Sequence, residues 1–241
     1  MMAAKGSRVA HNRLSPRSAA TRAKLITVAE RLFAKHGIEG VTLAQIGKAA
    51  GQRNAAVCQY HFGNKNGLLQ SIIDKHVPGI VARRHAMLEE IERQDAPPLR
   101  EIARALVAPV AEKLDDPRGG REFIIITAQL VALHSVASLD LGASPLRLPG
   151  GDRLARALKA ALAPQRLAHG IVKQRTVLAA VVLFHGLADH LRMLDLANRD
   201  DEAFDTPLFV RTLEESVAAL LAGCGTPSAT KSLGAKPRQA P

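Results

Sequence analysis

Apolar positions recur along most of this chain at intervals of three and four residues, the period of one helix face. Ser15-Pro16 reads as an N-cap followed by proline at the first helical position, where its missing N–H costs nothing. Leu25, Val28, Ala29, Leu32, Phe33 and His36 then follow the period until Gly37 stops it. The spacing predicts an amphipathic helix of about five turns. A second helix starts at Thr42, where Thr42-Leu43-Ala44-Gln45 forms a capping box. Its apolar face is Leu43, Ile46, Ala49 and Ala50, and Gly51 ends it. After a turn of about three residues, Asn54 is placed to cap a short third helix through Tyr60. Asn64 is placed to cap a fourth, from Lys65 past Leu68, Leu69, Ile72 and Ile73 into Arg83-Arg84-His85, which Pro78-Gly79 should kink or briefly interrupt.

The same period continues over 97–114, 121–139, 152–162, 169–196 and 206–222, the last capped by Thr206-Pro207. The segments 121–139 and 169–196 are apolar nearly all round and predict buried helices. A Gly- and Pro-rich loop spans 140–151. Strand-type alternation with hairpin turns is absent, so the fold class is all-α. The organisation expected is a disordered basic arm over 1–15, a three-helix head over 16–65, a larger helical domain over 66–222 and a disordered tail over 223–241.

Charge adds a function to this pattern. Residues 1–70 hold eleven Lys/Arg against two acids, Glu30 and Glu39, whereas residues 71–222 hold nineteen bases and twenty acids. A basic first third beside a balanced remainder points to a polyanion at the head, or more simply to a solubilising arm. Cys58 and Cys224 provide neither a disulfide framework nor zinc spacing. The N-terminus has no apolar secretory core, and no window reaches the ~18 uninterrupted apolar residues of a membrane span. The reading is a soluble cytoplasmic protein with no membrane contact.

Two helices joined by a tight glycine turn, the second short, make a helix-turn-helix, which presents the second helix to the DNA major groove. Ala55 and Ala56 allow close approach, while Gln59 and Asn54 donate and accept toward base edges. Arg53 reaches a base or a phosphate; Tyr60, His61 and Lys65 suit phosphate oxygens, and Thr42 joins the DNA-binding set from the second helix. Val57, Cys58 and Phe62 face the core. Cys58 in this helix is either a redox switch or a small packing residue.

"TRAKLITVAERLFAKHGIEGVTLAQIGKAAG" followed by "QYHFGNKNGLL" resembles the DNA-binding region of the TetR family of bacterial transcriptional regulators. The resemblance rests on Thr21-Arg22, Ala29, Leu32-Phe33, Gly37, Val41-Thr42, Ile46, Ala49-Ala50-Gly51, Tyr60-His61-Phe62, Lys65 and Leu68, and covers residues 17 to 70. The chain departs from the family pattern at Gln52, where most members have valine, and at Gln59, where most have tyrosine. Its stretch from Gly51 to Phe62 is one residue longer. The resemblance implies a homodimer whose last two long helices, here 169–196 and 206–222, form the interface. It also implies a double-stranded operator, a small-molecule effector and a repressor released by it. Met87, Phe123, Thr127, Gln129, His134 and Phe184 are candidate linings of an aliphatic pocket for a hydrophobic effector, or ordinary core.

Two other readings compete. In one, residues 71–222 form an all-α small-molecule carrier or enzyme with an incidental basic head, and His185, Asp189 and His190 are its best catalytic candidates. These lack a third convergent metal ligand, and no Ser-His-Asp set, phosphate-binding glycine loop or cofactor motif is discernible. No catalytic residue, metal or cofactor is therefore assigned. In the other, the chain is a sequence-independent architectural DNA binder.

Overall fold

The computed structural model describes residues 15–54, 56–93, 98–134, 146, 151–196 and 205–223. The expected arm and tail, Cys224, Ala55, most of the loop at 140–151 and the His134 side chain lie outside the described residues. Among those described there are helices and no strands. In order they are α1 (Pro16–His36), α2 (Leu43–Ala49), α3 (Val57–Phe62), α4 (Lys65–Ile91), α5 (Leu99–Ala111), α6 (Gly120–His134), α7 (Gly151–Leu162), α8 (His169–Leu196) and α9 (Thr206–Ala222). The chain is all-α. It divides into two compact units, Met1–Ile72 and Ile73–Pro241, and the division falls inside α4 rather than at its start.

In the first unit, Ser15 accepts a hydrogen bond from the Ser18 N–H, and Pro16 opens α1 as its sequence predicts. Leu25, Ala29 and Phe33, one helical stripe, are fully buried. Ile26 and Glu30 complete the buried face, whereas His36, expected on it, is exposed at the helix end. The Thr42–Gln45 capping box forms as written, with the Thr42 N–H 2.7 Å from Gln45 Oε1 and the Gln45 N–H 3.2 Å from Thr42 Oγ1. α3, Val57–Phe62, begins and ends two residues later than expected. The cause is local: Asn54 Oδ1 accepts from the Ala56 N–H at 2.9 Å, an Asx turn two residues on rather than an N-cap three on. Asn64 does cap α4, accepting from the Gly67 N–H at 2.9 Å. Pro78 lies within an α4 that runs unbroken to Ile91, so the expected interruption does not occur.

In the second unit α5 packs on α9 and α7, α6 on α8, and α8 on α9. Ile102, Val107, Ile124, Leu183, Leu187 and Val217 are shielded from water at the seams. By length and composition alone α8 is apolar enough to cross a bilayer, yet only 33% of that stretch is buried within the chain. α9 is capped by Asp205, whose carboxylate accepts from the Leu208 N–H, rather than by Thr206. Thr206 instead meets His190: its Oγ1 lies 2.9 Å from the ring Nε2.

His190 is buried and stacks on Phe209 with centroids 4.1 Å apart, and its Nδ1 has no partner. Burial pushes its imidazole below the ordinary 6.5, because a buried ring resists the charge. The unfolded chain therefore takes up this proton first as pH falls. The stability is fully present above about 6.5 and drains away below it. Thermal melts are expected to show less loss between pH 7 and 5 for His190→Gln than for the unaltered chain.

Candidate nucleic-acid interface

The interface is built on α2, its turn and α3. Gly51 adopts φ +71°, a left-handed conformation that glycine enters without strain, and this reverses the chain after α2. The Gln52 N–H closes the turn on the Gly47 carbonyl at 3.0 Å. α3 is only six residues long and is held by the buried Cys58 and Phe62. Its other side presents Ala56, Gln59 and Tyr60 to solvent, with Tyr60 81% exposed and His61 half-buried against it, ring edge to face at 5.1 Å. A helix this short, buried on one side and bare on the other, suits a groove better than a core.

The candidate side chains divide by what already occupies them. Arg53, Gln59 and Tyr60 are exposed. The Thr42 hydroxyl serves the capping box, donating to Gln45 Oε1 at 3.0 Å, and the Asn54 oxygen serves its own turn. Lys65 differs most from expectation. Its ammonium donates to the Ile38 carbonyl at 2.9 Å and is half-buried, tying the start of α4 to the loop after α1. Lys65→Ala is therefore expected to lower the stability of the DNA-free protein by about 1 kcal/mol in denaturant titration. A lysine reserved for phosphate would leave that stability unchanged.

Arg22, which carried no assigned role, is central to the unit. Its guanidinium bonds Ser71 Oγ at 2.6 Å and lies 5.0 Å from the centroid of the Phe62 ring, joining α1, α3 and α4. Ser71 donates onward to the Gly67 carbonyl at 2.8 Å. Burial raises the Cys58 thiol above its ordinary range, partly offset by a hydrogen bond with the Gly47 backbone. A thiol so shielded and protonated is inert, which favours packing over a redox switch.

The two units differ in charge balance. In the second, Arg83 pairs with Glu112, Arg100 with Glu215, Arg121 with Asp195, Arg153 with Glu92 and Arg192 with Asp189. In the first, Arg17, Lys24, Arg31, Lys35, Lys48 and Arg53 have no ion-pair partner among the described residues. The first unit is set apart by its lack of carboxylates, with eleven Lys/Arg against Glu30 and Glu39 over residues 1–70, and such an excess is the footprint of a polyanion partner.

The alternative cluster on α8 does not converge. Asp189 is exposed and bound to Arg192, while His190 is buried against Thr206. Among the pocket candidates, Phe123 is buried and stacked on His76 at 4.7 Å, so its ring is spent on core packing. The Thr127 hydroxyl donates to the Phe123 carbonyl at 2.7 Å, and Met87, Gln129 and Phe184 are half-buried.

Residues 25–72 match the family model of the bacterial regulatory proteins of the tetR family. A stretch of 54 residues is 44% identical to the HTH-type transcriptional regulator TtgR of Pseudomonas putida, covering 22% of this chain and 25% of that protein. A stretch of 96 residues is 31% identical to the HTH-type transcriptional repressor AcnR of Corynebacterium glutamicum, covering 36% of this chain and 50% of that protein. The matched chain thus spans a quarter to a half of these relatives' length. A TetR family transcription regulator from Marinobacter aquaeolei VT8 superposes with a TM-score of 0.48 at 14% identity, covering 85% of this chain and 96% of that one. Over residues 25–72 the first unit is thus similar to the helix-turn-helix DNA-binding region of the tetR family of bacterial regulatory proteins.

Proposed function

We propose that the chain is a homodimeric, ligand-responsive repressor that acts in the cytoplasm on a palindromic operator. The observation that carries the DNA reading is a first unit rich in cations and poor in carboxylates, with an α3 whose Gln59 and Tyr60 stand free in solvent. Ala56 and Gln59 read base edges, while Arg53, Tyr60 and His61 hold the backbone. The dimer forms through α8 and α9, where Leu178, Met193, Leu196 and Leu208 are exposed apolar residues that a second copy would cover. A two-fold protein requires a two-fold site, which makes the operator palindromic. The effector is a small hydrophobic molecule held in the second unit by Met87, Thr127, Gln129 and Phe184.

Selection of bound duplexes from a random library tests this reading. The expected product is an inverted repeat, preferred over random competitor by ~10³ or more and weakened steeply by salt. Retention of all sequences alike would instead make the chain an architectural binder.

A further inference from the structure

One stripe of α8 is left uncovered by the described residues. Leu183, Leu187 and Leu191 are buried within the second unit. On the other side Leu178, Asp189, Arg192, Met193 and Leu196 are exposed, and Val181 and His185 are half-buried. Neighbours in this set recur at helical spacing, so they share one face. The stripe is apolar at both ends and polar in the middle. There Asp189 is bonded to Arg192, while the His185 ring has no partner among the described residues. A charged middle does not suit a bilayer, although α8 is long and apolar enough to cross one.

The stripe reads nearly the same from either end. Seven residues lead from Leu178 to His185 and seven from Asp189 to Leu196, while Val181 stands four before His185 and Met193 four after Asp189. A two-fold interface needs such a pattern, because residue i of one copy must fit residue j of the other, and j must fit i. Two α8 helices running antiparallel, with the axis crossing at the level of Leu187, set Leu178 against the partner's Leu196 and Val181 against the partner's Met193. The same register sets His185 against the partner's Asp189. Parallel pairing would instead stack Asp189 on the partner's Asp189 and Arg192 on the partner's Arg192, like charge on like.

We propose that α8 is a self-recognition seam, antiparallel to α8 of a second copy, whose register is fixed by a His185–Asp189 contact on each side of the axis. The imidazole donates to the carboxylate that Arg192 already holds, so Asp189 enters the seam with two partners rather than as a lone desolvated charge. A slip of one helical turn would set Asp189 against the partner's Asp189 or the partner's Val181, so the polar middle specifies both register and partner. The seam rests on the reading of the chain as a homodimer and names the residues by which one copy selects another.

The test is sedimentation of the full chain and of two complementary variants. In H185E a carboxylate meets the partner's Asp189, and in D189R a guanidinium meets the partner's His185. Each variant alone is expected to dimerise at least tenfold more weakly than the unaltered chain. An equimolar mixture should recover the parent's affinity to within a few-fold as a heterodimer, because the two new charges then face each other and one His185–Asp189 contact is kept. L196S, at a position 86% exposed in the single chain, is a check independent of charge and should weaken the dimer about tenfold. None of the three positions is buried, so far-UV circular dichroism should match the parent's, and L196S decides alone if a charge variant loses its helical signal. Variants that dimerise as tightly as the parent overturn the seam. Weakening that mixing does not reverse overturns it too, since it removes the register. If the unaltered chain itself sediments as a monomer, the homodimer reading falls and the seam falls with it.

Discussion

Gly67→Ala is expected to destabilise the first unit by about 2 kcal/mol and to weaken operator binding at least tenfold. A Cβ at position 67 would run into the carbonyl oxygen of Phe62 and stand 3.1 Å from its carbon, where ordinary contact begins at 3.4 Å. Those are backbone atoms at the end of α3, so no rotamer change relieves the clash. The recognition helix itself must move by more than an ångström. Overpacking of this kind costs about 3 kcal/mol, against about 1 kcal/mol gained from alanine's better helix propensity, so the clash wins. The displaced element carries Gln59 and Tyr60, and base contacts worth about 1–3 kcal/mol do not survive such a shift. Gly79→Ala on the same helix is the control, because a Cβ there meets nothing within 4 Å. It should leave stability unchanged or raise it slightly. Thermal melts with operator titration decide the matter: a Gly67→Ala protein as stable and as tight as the parent would mean that α3 and α4 do not meet this closely.

Gly67 also marks where sequence stops being legible. Features governed by residues three or four apart were readable: the Ser15-Pro16 start, the Thr42–Gln45 box, the Asn64 cap and the full extent of α8. Each depends on a local donor and acceptor with one favoured geometry. Asn54 shows the limit of that logic, since an asparagine can serve the N–H two residues on as well as three, and here the Asx turn prevails. Asp205 and Thr206 are both competent caps, and only the tertiary contact of Thr206 with His190 separates them.

Contacts made across the fold were not readable at all. Arg22 reaches Ser71 over 49 positions and Lys65 reaches Ile38 over 27, so a cation without an assigned role and one read as a phosphate ligand both serve as struts. The charge asymmetry of the head was legible as a number. Which of its cations are spoken for was not, because that depends on where carboxylates and carbonyls come to lie. In the same way the half-burial of Met87, Gln129 and Phe184 follows from helix packing that periodicity alone does not rank.

The second large effect is expected at Arg84, whose removal should cost about 3 kcal/mol. Pro109 lies inside α5 and has no N–H, so the carbonyl of Ala105, four residues earlier, loses its helical donor. Ala105 is fully buried, and water does not replace that donor. Arg84 supplies it from α4: Nε donates to the Ala105 carbonyl at 3.1 Å and Nη2 to the Leu106 carbonyl at 3.4 Å. Burial pushes the guanidinium below its ordinary range, yet arginine stays charged, and a charged donor is the stronger partner for an orphaned carbonyl. Arg84→Ala leaves that carbonyl unsatisfied, at about 1–3 kcal/mol, and strips the packing of the side-chain stem.

The cause can be isolated by a double-mutant cycle, because Pro109→Ala restores the helix's own N–H. In that background Arg84→Ala should cost roughly 1 kcal/mol, the stem packing alone, giving a coupling of about 2 kcal/mol. Arg84→Lys should fall between, since a single ammonium does not span two carbonyls as a planar fork does. Urea unfolding of the four proteins measures the cycle. An equal cost in both backgrounds would mean that the arginine is not repairing the proline's defect. The coupling matters beyond stability, since α4 begins in the DNA-binding unit at Lys65 and ends in the second unit at Ile91. Arg84 fastens its far half to α5, so the grip on this shared helix depends on a proline that leaves a carbonyl open to be gripped.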